Sequence, residues 1–251
     1  MIHETFTVDG PPDLEVSIES GRVEVREGPP GKVEVKVDTK LPDFVVEQRG
    51  NSITISSDRS SWLSRGAASV VISTPAGTDL RVAVASAQIQ CDLDLGKVEI
   101  KTASGDIEMG RAETLVVRTS SGDLDIRSVE RSLRFTSASG DMRVSNSAGG
   151  SLGVSTASGD VDIEASDATI DITSASGDAA IRQFTGRSAY FKTMSGNVDL
   201  GIPSGSSVEL DVSTLSGKVR LPDPEPRQGP AQRQMSVRAK LVSGDFTIVR
   251  A

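Results

Sequence analysis

Large rings are scarce in this chain. Aromatic residues make up 3% of its 251 residues, although 36% of it is hydrophobic. A core so poor in rings is built from Val, Ile and Leu, which suits thin aliphatic layers. Cys91 is the only cysteine, which excludes a disulfide framework and a thiolate zinc site. His3 is the only histidine and stands near the N-terminus, so no nucleophile–base pair can be drawn. Positive charge is also short, with 27 Lys and Arg against 35 Asp and Glu, a net charge of -8. No dense basic stripe is available to neutralise phosphates, so nucleic acid is not an expected partner. No run approaches the roughly 20 apolar residues that span a bilayer. The opening MIHETFTVDGPPDLEV has neither a basic start nor an apolar stretch of signal-peptide type. The expectation is a cytoplasmic chain without direct membrane insertion, peripheral to a membrane only through a partner.

What the chain has is a repeated phrase. TASGD at 102 returns as TSSGD, SASGD, TASGD and SASGD, and then as TMSGN, TLSGK and LVSGD. The serine of the Ser-Gly step falls at Ser104, Ser121, Ser139, Ser158, Ser176, Ser195, Ser216 and Ser243, a period of about 18 residues that lengthens toward the C-terminus. Apolar residues alternate before each corner, as in Val98 and Ile100, Leu133 and Phe135, Ile170 and Ile172. They alternate again after it, as in Ile107 and Met109, Leu124 and Ile126, Val161 and Ile163. Period-two alternation over four to six residues means half-buried strands, and helical spacing is absent.

Two short strands per 18 residues cannot bury an apolar face alone. Stacking unit on unit does, with rungs about 4.8 Å apart. A left-handed hexapeptide helix also uses 18 residues, but needs an aliphatic anchor every sixth residue, and here the apolar pairs recur about 8 to 10 apart. Parallel strands joined by crossovers are overwhelmingly right-handed. The expected fold is therefore all-β, a right-handed parallel β-solenoid with two short strands per coil. Counting in twos from Ile100 places Thr102 and Ser104 on the inward face. The turn ladder would comprise Ser104, Gly105, Asp106, Ser121, Gly122, Asp123, Ser139, Gly140, Asp141, Ser158, Gly159, Asp160, Ser176, Gly177 and Asp178. In it, glycine supplies φ > 0, Asp bonds nearby backbone N–H groups, and stacked hydroxyls bond to neighbouring coils.

The first third differs. LEVSIESGRVEV follows the strand, Ser-Gly, strand rule once; KVEVKVD, FVVEQ, SITIS and SVVIST then read as strands joined by Gly, Pro and Asn turns. Residues 1–78 are expected to form an N-terminal β cap over the open edge, and 79–251 the repeats, in one continuous domain. Two loops stand out, 56–68 with Trp62, and the Pro-rich 222–234.

Sharper chemistry fares poorly. A calcium ladder on the Asp row would need several Gly and carbonyl ligands per turn, as in GGxGxDxUx, and only one Gly-Asp occurs here. Outward positions Glu108, Asp125, Arg143, Asp162, Ala180, Asp199 and Arg220 mix signs, which suits cross-rung pairing on a solvated face. Cys91 shares phase with Ile89 and Leu93 and reads as a buried thiol. An ice-binding array would need its hydroxyl row outward, whereas this one counts inward.

The strand pair LEVSIESGRVEVRE, the ITIS strand, the VVISTPAGTDLRV entry and the serial TASGDIEM, TSSGDLDI and TASGDVDI units resemble the bacterial putative-adhesin β-strand-repeat family of the wider toast-rack group. The resemblance covers nearly the whole chain. It implies a right-handed β-solenoid without known catalytic residues, in a group associated with envelope-stress systems and often found next to membrane segments or small membrane partners. It supplies no site residues.

The function expected from all this is a non-enzymatic interaction scaffold, without a cofactor, that presents a rigid face to a protein partner. Its surface would use Lys101, Arg118, Tyr190 and Lys192 on the first sheet, with Trp62 as a further anchor. Two rivals are a surface adhesin for carbohydrate or matrix and a polysaccharide-active β-helix enzyme. End-to-end self-association is a further expectation, because stacked rungs end in open strand edges.

Overall fold

The computed structural model of the protein describes residues 1–41, 44–57, 66–223 and 233–250. It is all-β, with no helix among the described residues. Two compact units divide it, residues 1–126 and 127–251.

The first unit contains β1 (Ile2–Thr7), β2 (Asp13–Glu27), β3 (Lys32–Thr39), β4 (Phe44–Arg49), β5 (Ser52–Ser57), β6 (Ala67–Thr74), β7 (Thr78–Lys101) and β8 (Ile107–Arg118). β9 (Leu124–Ser137) spans the boundary. The long strand β2 bends at Ser20-Gly21. Its first half pairs in parallel with β5 on one side and β7 on the other, and its second half with β6 and β7. The chain is therefore not stacked in sequence order, because β5 and β6 lie outside the earlier β2. Antiparallel strands close this end, β4 on β5, β3 on β6 and β1 on β3. The expected cap thus includes a full parallel rung of its own.

The second unit holds β10 (Met142–Ser147), β11 (Ser151–Ser158), β12 (Val161–Ser166), β13 (Thr169–Ser176), β14 (Ala179–Phe184), β15 (Ser188–Ser195), β16 (Val198–Ile202), β17 (Ser206–Ser216), β18 (Val219–Arg220), β19 (Arg233–Ser243) and β20 (Phe246–Arg250). One parallel series runs β9, β11, β13, β15, β19, β17. The other runs β10, β12, β14, β16, β20, β18. Here too the final segment is inserted, so that β19 and β20 lie inside β17 and β18.

Within each unit alternate residues point inward, as period-two patterning requires. Leu152, Ile170, Ala189 and Val237 stack in one column, and Met142, Val161, Ala179 and Val198 in another, all buried. Phe191 of β15 and Phe246 of β20 meet across the interior with ring centroids 6.3 Å apart, a separation that suits tilted rings. Cys91 is fully buried beside Ile89 and Leu93. Burial pushes its thiol up to about 12, with Asp92 adding to the effect.

At the corners the structure departs from the sequence expectation in two ways. Thr102, Thr119, Ser137, Thr156 and Ser174 turn inward, but Ser104, Ser121, Ser139, Ser158 and Ser176 are exposed. The phase breaks one residue earlier than the count from Ile100 assumed: alternation stops at the buried hydroxyl, and the two residues after it both face outward. The glycines also act differently. Gly105, Gly122 and Gly159 have ordinary φ. A Cβ on Gly159 would sit 2.3 Å from the Gly140 carbonyl oxygen, and one on Gly122 2.3 Å from that of Gly105. Space, not left-handed backbone, requires glycine at these corners; at Gly21 (φ 123) and from Gly177 (φ 140) onward positive φ joins it.

Gly159→Ala is therefore expected to cost about 2 to 3 kcal/mol through steric overlap alone, read as a shift in a chemical-denaturation midpoint; an unchanged midpoint would refute the close-packed corner. Cys91 should carry about a thousandfold less thiolate at pH 8 than a free thiol. A colourimetric thiol reagent should find no group in the native chain and one after denaturation; prompt native reaction would mean Cys91 is exposed.

Candidate functional site

The aspartates of the repeated phrase carry out a specific task. Each carboxylate accepts the backbone N–H of its equivalent in the next rung. Asp160 N–H donates to Asp141 Oδ1 (2.9 Å), Asp178 N–H to Asp160 Oδ1 (2.8 Å) and Asn197 N–H to Asp178 Oδ1 (2.7 Å). The series continues with Asp245 N–H to Asn197 Oδ1 (3.0 Å) and Lys218 N–H to Asp245 Oδ1 (2.8 Å). In the first unit, Asp123 N–H donates to Asp106 Oδ1 at 3.3 Å. A second set runs the opposite way, with Val161 N–H on Asp178 O and Ala179 N–H on Asn197 O, both at 2.9 Å. The corners thus clamp one another in both directions, across steps of 17 to 19 residues as far as Asn197 and of 48 and 27 residues beyond it. This differs from a turn in which Asp bonds its own loop. Among the described residues no three His, Cys, Asp or Glu side chains gather as a metal site.

At the end of the series Asp245 also faces Arg220 at 2.8 Å. The Lys218 N–H above all, with the charge and hydrogen bond of Arg220 and the charge of Lys218, holds its carboxyl below the usual value of 3.8 against the opposing effect of desolvation.

Outward side chains tie strands together. In the first unit Lys101 and Arg118 are register partners on β7 and β8. Both contact Glu99, at 2.9 and 3.2 Å. The Lys101 hydrogen bond and charge, with Arg118, hold the Glu99 carboxyl below its ordinary range. Asp162 pairs with Arg182 at 2.9 Å rather than with its register partner Arg143. Tyr190 and Lys192 lie on β15 of the second unit, Tyr190 half-buried and Lys192 exposed. Trp62 and residues 224–232 of the Pro-rich loop lie outside the described residues.

A feature that escaped the sequence reading lies beside Lys192. A groove of about 560 Å³ opens on the outer face of β9, β11, β13, β15 and β19. Its apolar floor is Ala138, Ala157, Ala175, Met194 and Val242, the middle residues of SAS, TAS, SAS, TMS and LVS. Met194 is 62% exposed and Val242 47%. Hydroxyls of Thr136, Ser155 and Thr173 form one flank, and Lys192 and Lys240, register partners on adjacent strands, complete it. Among the described residues neither lysine has a carboxylate partner. The signal was present in the sequence, because the residue before Ser-Gly grows from Ala to Met, Leu and Val while remaining at an outward position.

The family profile for Toastrack DUF4097 matches residues 12–249. The chain belongs to the Toastrack DUF4097 family. Among solved structures it is similar to a "putative adhesin" from Parabacteroides distasonis, at 15% identity over 99% of this chain and 96% of that one, with a TM-score of 0.54. It is also similar to a "putative lipid binding protein" from the same organism, at 12% identity over 99% and 96% of the two chains, with a TM-score of 0.53. At such identities the likeness concerns the fold of this Toastrack chain. Among curated proteins nothing matches it.

Asp245→Asn keeps an oxygen for the Lys218 N–H but loses the charge that faces Arg220. Because the folded-state pKa is depressed, the stabilisation is present above the ordinary value of 3.8 and is lost as pH falls through the lowered one. Thermal unfolding should place the wild type above Asp245→Asn at pH 6, with the gap closed at about pH 2. A gap independent of pH would refute the role of the charge.

Proposed function

We propose that this Toastrack chain is a right-handed parallel β-solenoid of about 18 residues per coil, with residues 1–78 as its cap and 79–251 as its repeats, acting as a non-enzymatic scaffold for a protein partner. The observation that carries the reading is the use of the repeated phrase. Its carboxylates accept backbone N–H groups of the next rung and its glycines allow close stacking. Recognition is then left to the outward positions between corners, which vary from rung to rung more than the Ser-Gly step does. Lys101 and Arg118, held by Glu99, present fixed cations on the first unit. Tyr190 and Lys192 present an aromatic ring and an exposed ammonium on the second. Aromatic and cationic side chains are the common anchors of protein interfaces. Family resemblance supports a place in envelope-associated regulation, reached through a membrane partner.

The test is crosslinking capture of the tagged chain from its source cells, with cytosol and membrane fractions separated. A partner enriched by the wild type should be lost when Lys101, Arg118, Tyr190 and Lys192 are all replaced by Ser. Equal capture by that variant would refute the assigned surface, and recovery of the chain alone would replace the scaffold with self-association.

A further inference from the structure

We infer that the groove over β9, β11, β13, β15 and β19 is a binding site for a long-chain carboxylate, a single alkyl chain with an anionic head. Three observations carry this, none of them dependent on the protein-partner reading.

The first is the floor. Ala138, Ala157, Ala175, Met194 and Val242 occupy successive strands at one repeat position, so their side chains form an apolar line running across the strands. Five strands at a spacing of about 4.8 Å give a line of about 19 Å, the reach of a long extended alkyl chain. Three alanines with exposed Met194 and Val242 on one line make a contiguous apolar strip, which is informative in a way that scattered apolar residues are not.

The second is charge. Lys192 and Lys240 stand side by side at the β15–β19 end of that line, both exposed and both without a carboxylate partner among the described residues. Several other exposed cations of this chain are tied to an acid, as Arg182 is to Asp162, Arg238 to Asp211 and Arg118 to Glu99. Two adjacent ammonium groups repel each other, and an anion placed between them converts that repulsion into two attractions. The head therefore belongs at Lys192 and Lys240, with the chain leading away over Ala175 and Ala157 toward Ala138.

The third is what the floor withholds. The five strands use their backbone N–H and C=O groups on one another. An extended peptide laid along the line would find no backbone ladder to join, only the hydroxyls of Thr136, Ser155 and Thr173, and its own polar backbone would be poorly paired. An alkyl chain has no such groups. The volume of about 560 Å³ also falls within the range of small-ligand sites.

The experiment titrates the full chain with palmitate, below the concentration at which palmitate aggregates, by displacement of a fluorescent fatty acid. Hexadecanol and hexanoate serve as probes of the head and the chain. Saturable one-to-one binding of palmitate is expected, with hexadecanol and hexanoate each at least tenfold weaker. The double variant Lys192→Glu with Lys240→Glu should weaken palmitate at least tenfold. Ala157→Trp, which fills the middle of the line at an exposed position, should abolish binding while the thermal midpoint stays within a few degrees. Absence of saturable binding, or equal affinity in wild type and both variants, overturns the proposal. Binding of hexadecanol equal to palmitate overturns the role of the lysines. Capture of the protein partner is read separately, so failure here leaves the scaffold reading intact, and the reverse.

Discussion

Everything in this chain depends on how closely one corner approaches the next. At a strand spacing of about 4.8 Å the backbone of each Ser-Gly-Asp corner lies against the carbonyl of the one before it, and there is no room for a Cβ at Gly122 or Gly159. Once glycine has allowed that approach, the Asp carboxylate is within reach of the following rung's N–H and completes the clamp. Without the close approach the carboxylates would form a row of like charges. With it, each is an acceptor matched to a donor. Asn197 fits the same logic. Its amide nitrogen donates to Asp178 Oδ1 at 3.3 Å and its oxygen accepts from Asp245 N–H, so one member of the series adds no charge.

The clamp explains the division of labour along each strand. Inward positions carry small and medium aliphatic side chains because rung-on-rung stacking fills the interior with columns of like residues, and few rings are needed. Phe191 and Phe246 fill the interior where the two series approach near the C-terminal rungs. Outward positions are free of both duties, and the chain uses them differently in its two units. Around Glu99 it builds a pinned pair of cations. Over β15 and β19 it leaves two cations without a carboxylate among the described residues, beside an apolar line.

Much of this was legible from residues alone. Period-two alternation on both sides of a recurring Ser-Gly announces paired short strands, and the 18-residue step announces parallel neighbours, because equivalent residues must meet. Burial of Thr102 and its counterparts followed from the same count. What did not follow was the facing of Ser104, since a phase count cannot tell where the alternation stops. The role of the Asp was also hidden, because a carboxylate next to glycine suits a local turn as well as a bond to another rung. The groove was hidden for a different reason. Its line joins Met194 to Val242, residues that are neighbours only because β19 lies between β15 and β17.

That insertion has a consequence for how the chain is made. β17 and β18 leave the ribosome before β19 and β20, yet they take the outermost place, and the later segment fills the gap between them and β15 and β16. Until β19 and β20 emerge, the edges of β15 and β16 have no partner, or β17 occupies the wrong berth and must be displaced. The same inversion at the other end, where β2 lies between β5 and β7, is resolved early in synthesis. Completion of the second unit thus waits for β19 and β20, and a chain cut short before β19 lacks an interior rung rather than a tail.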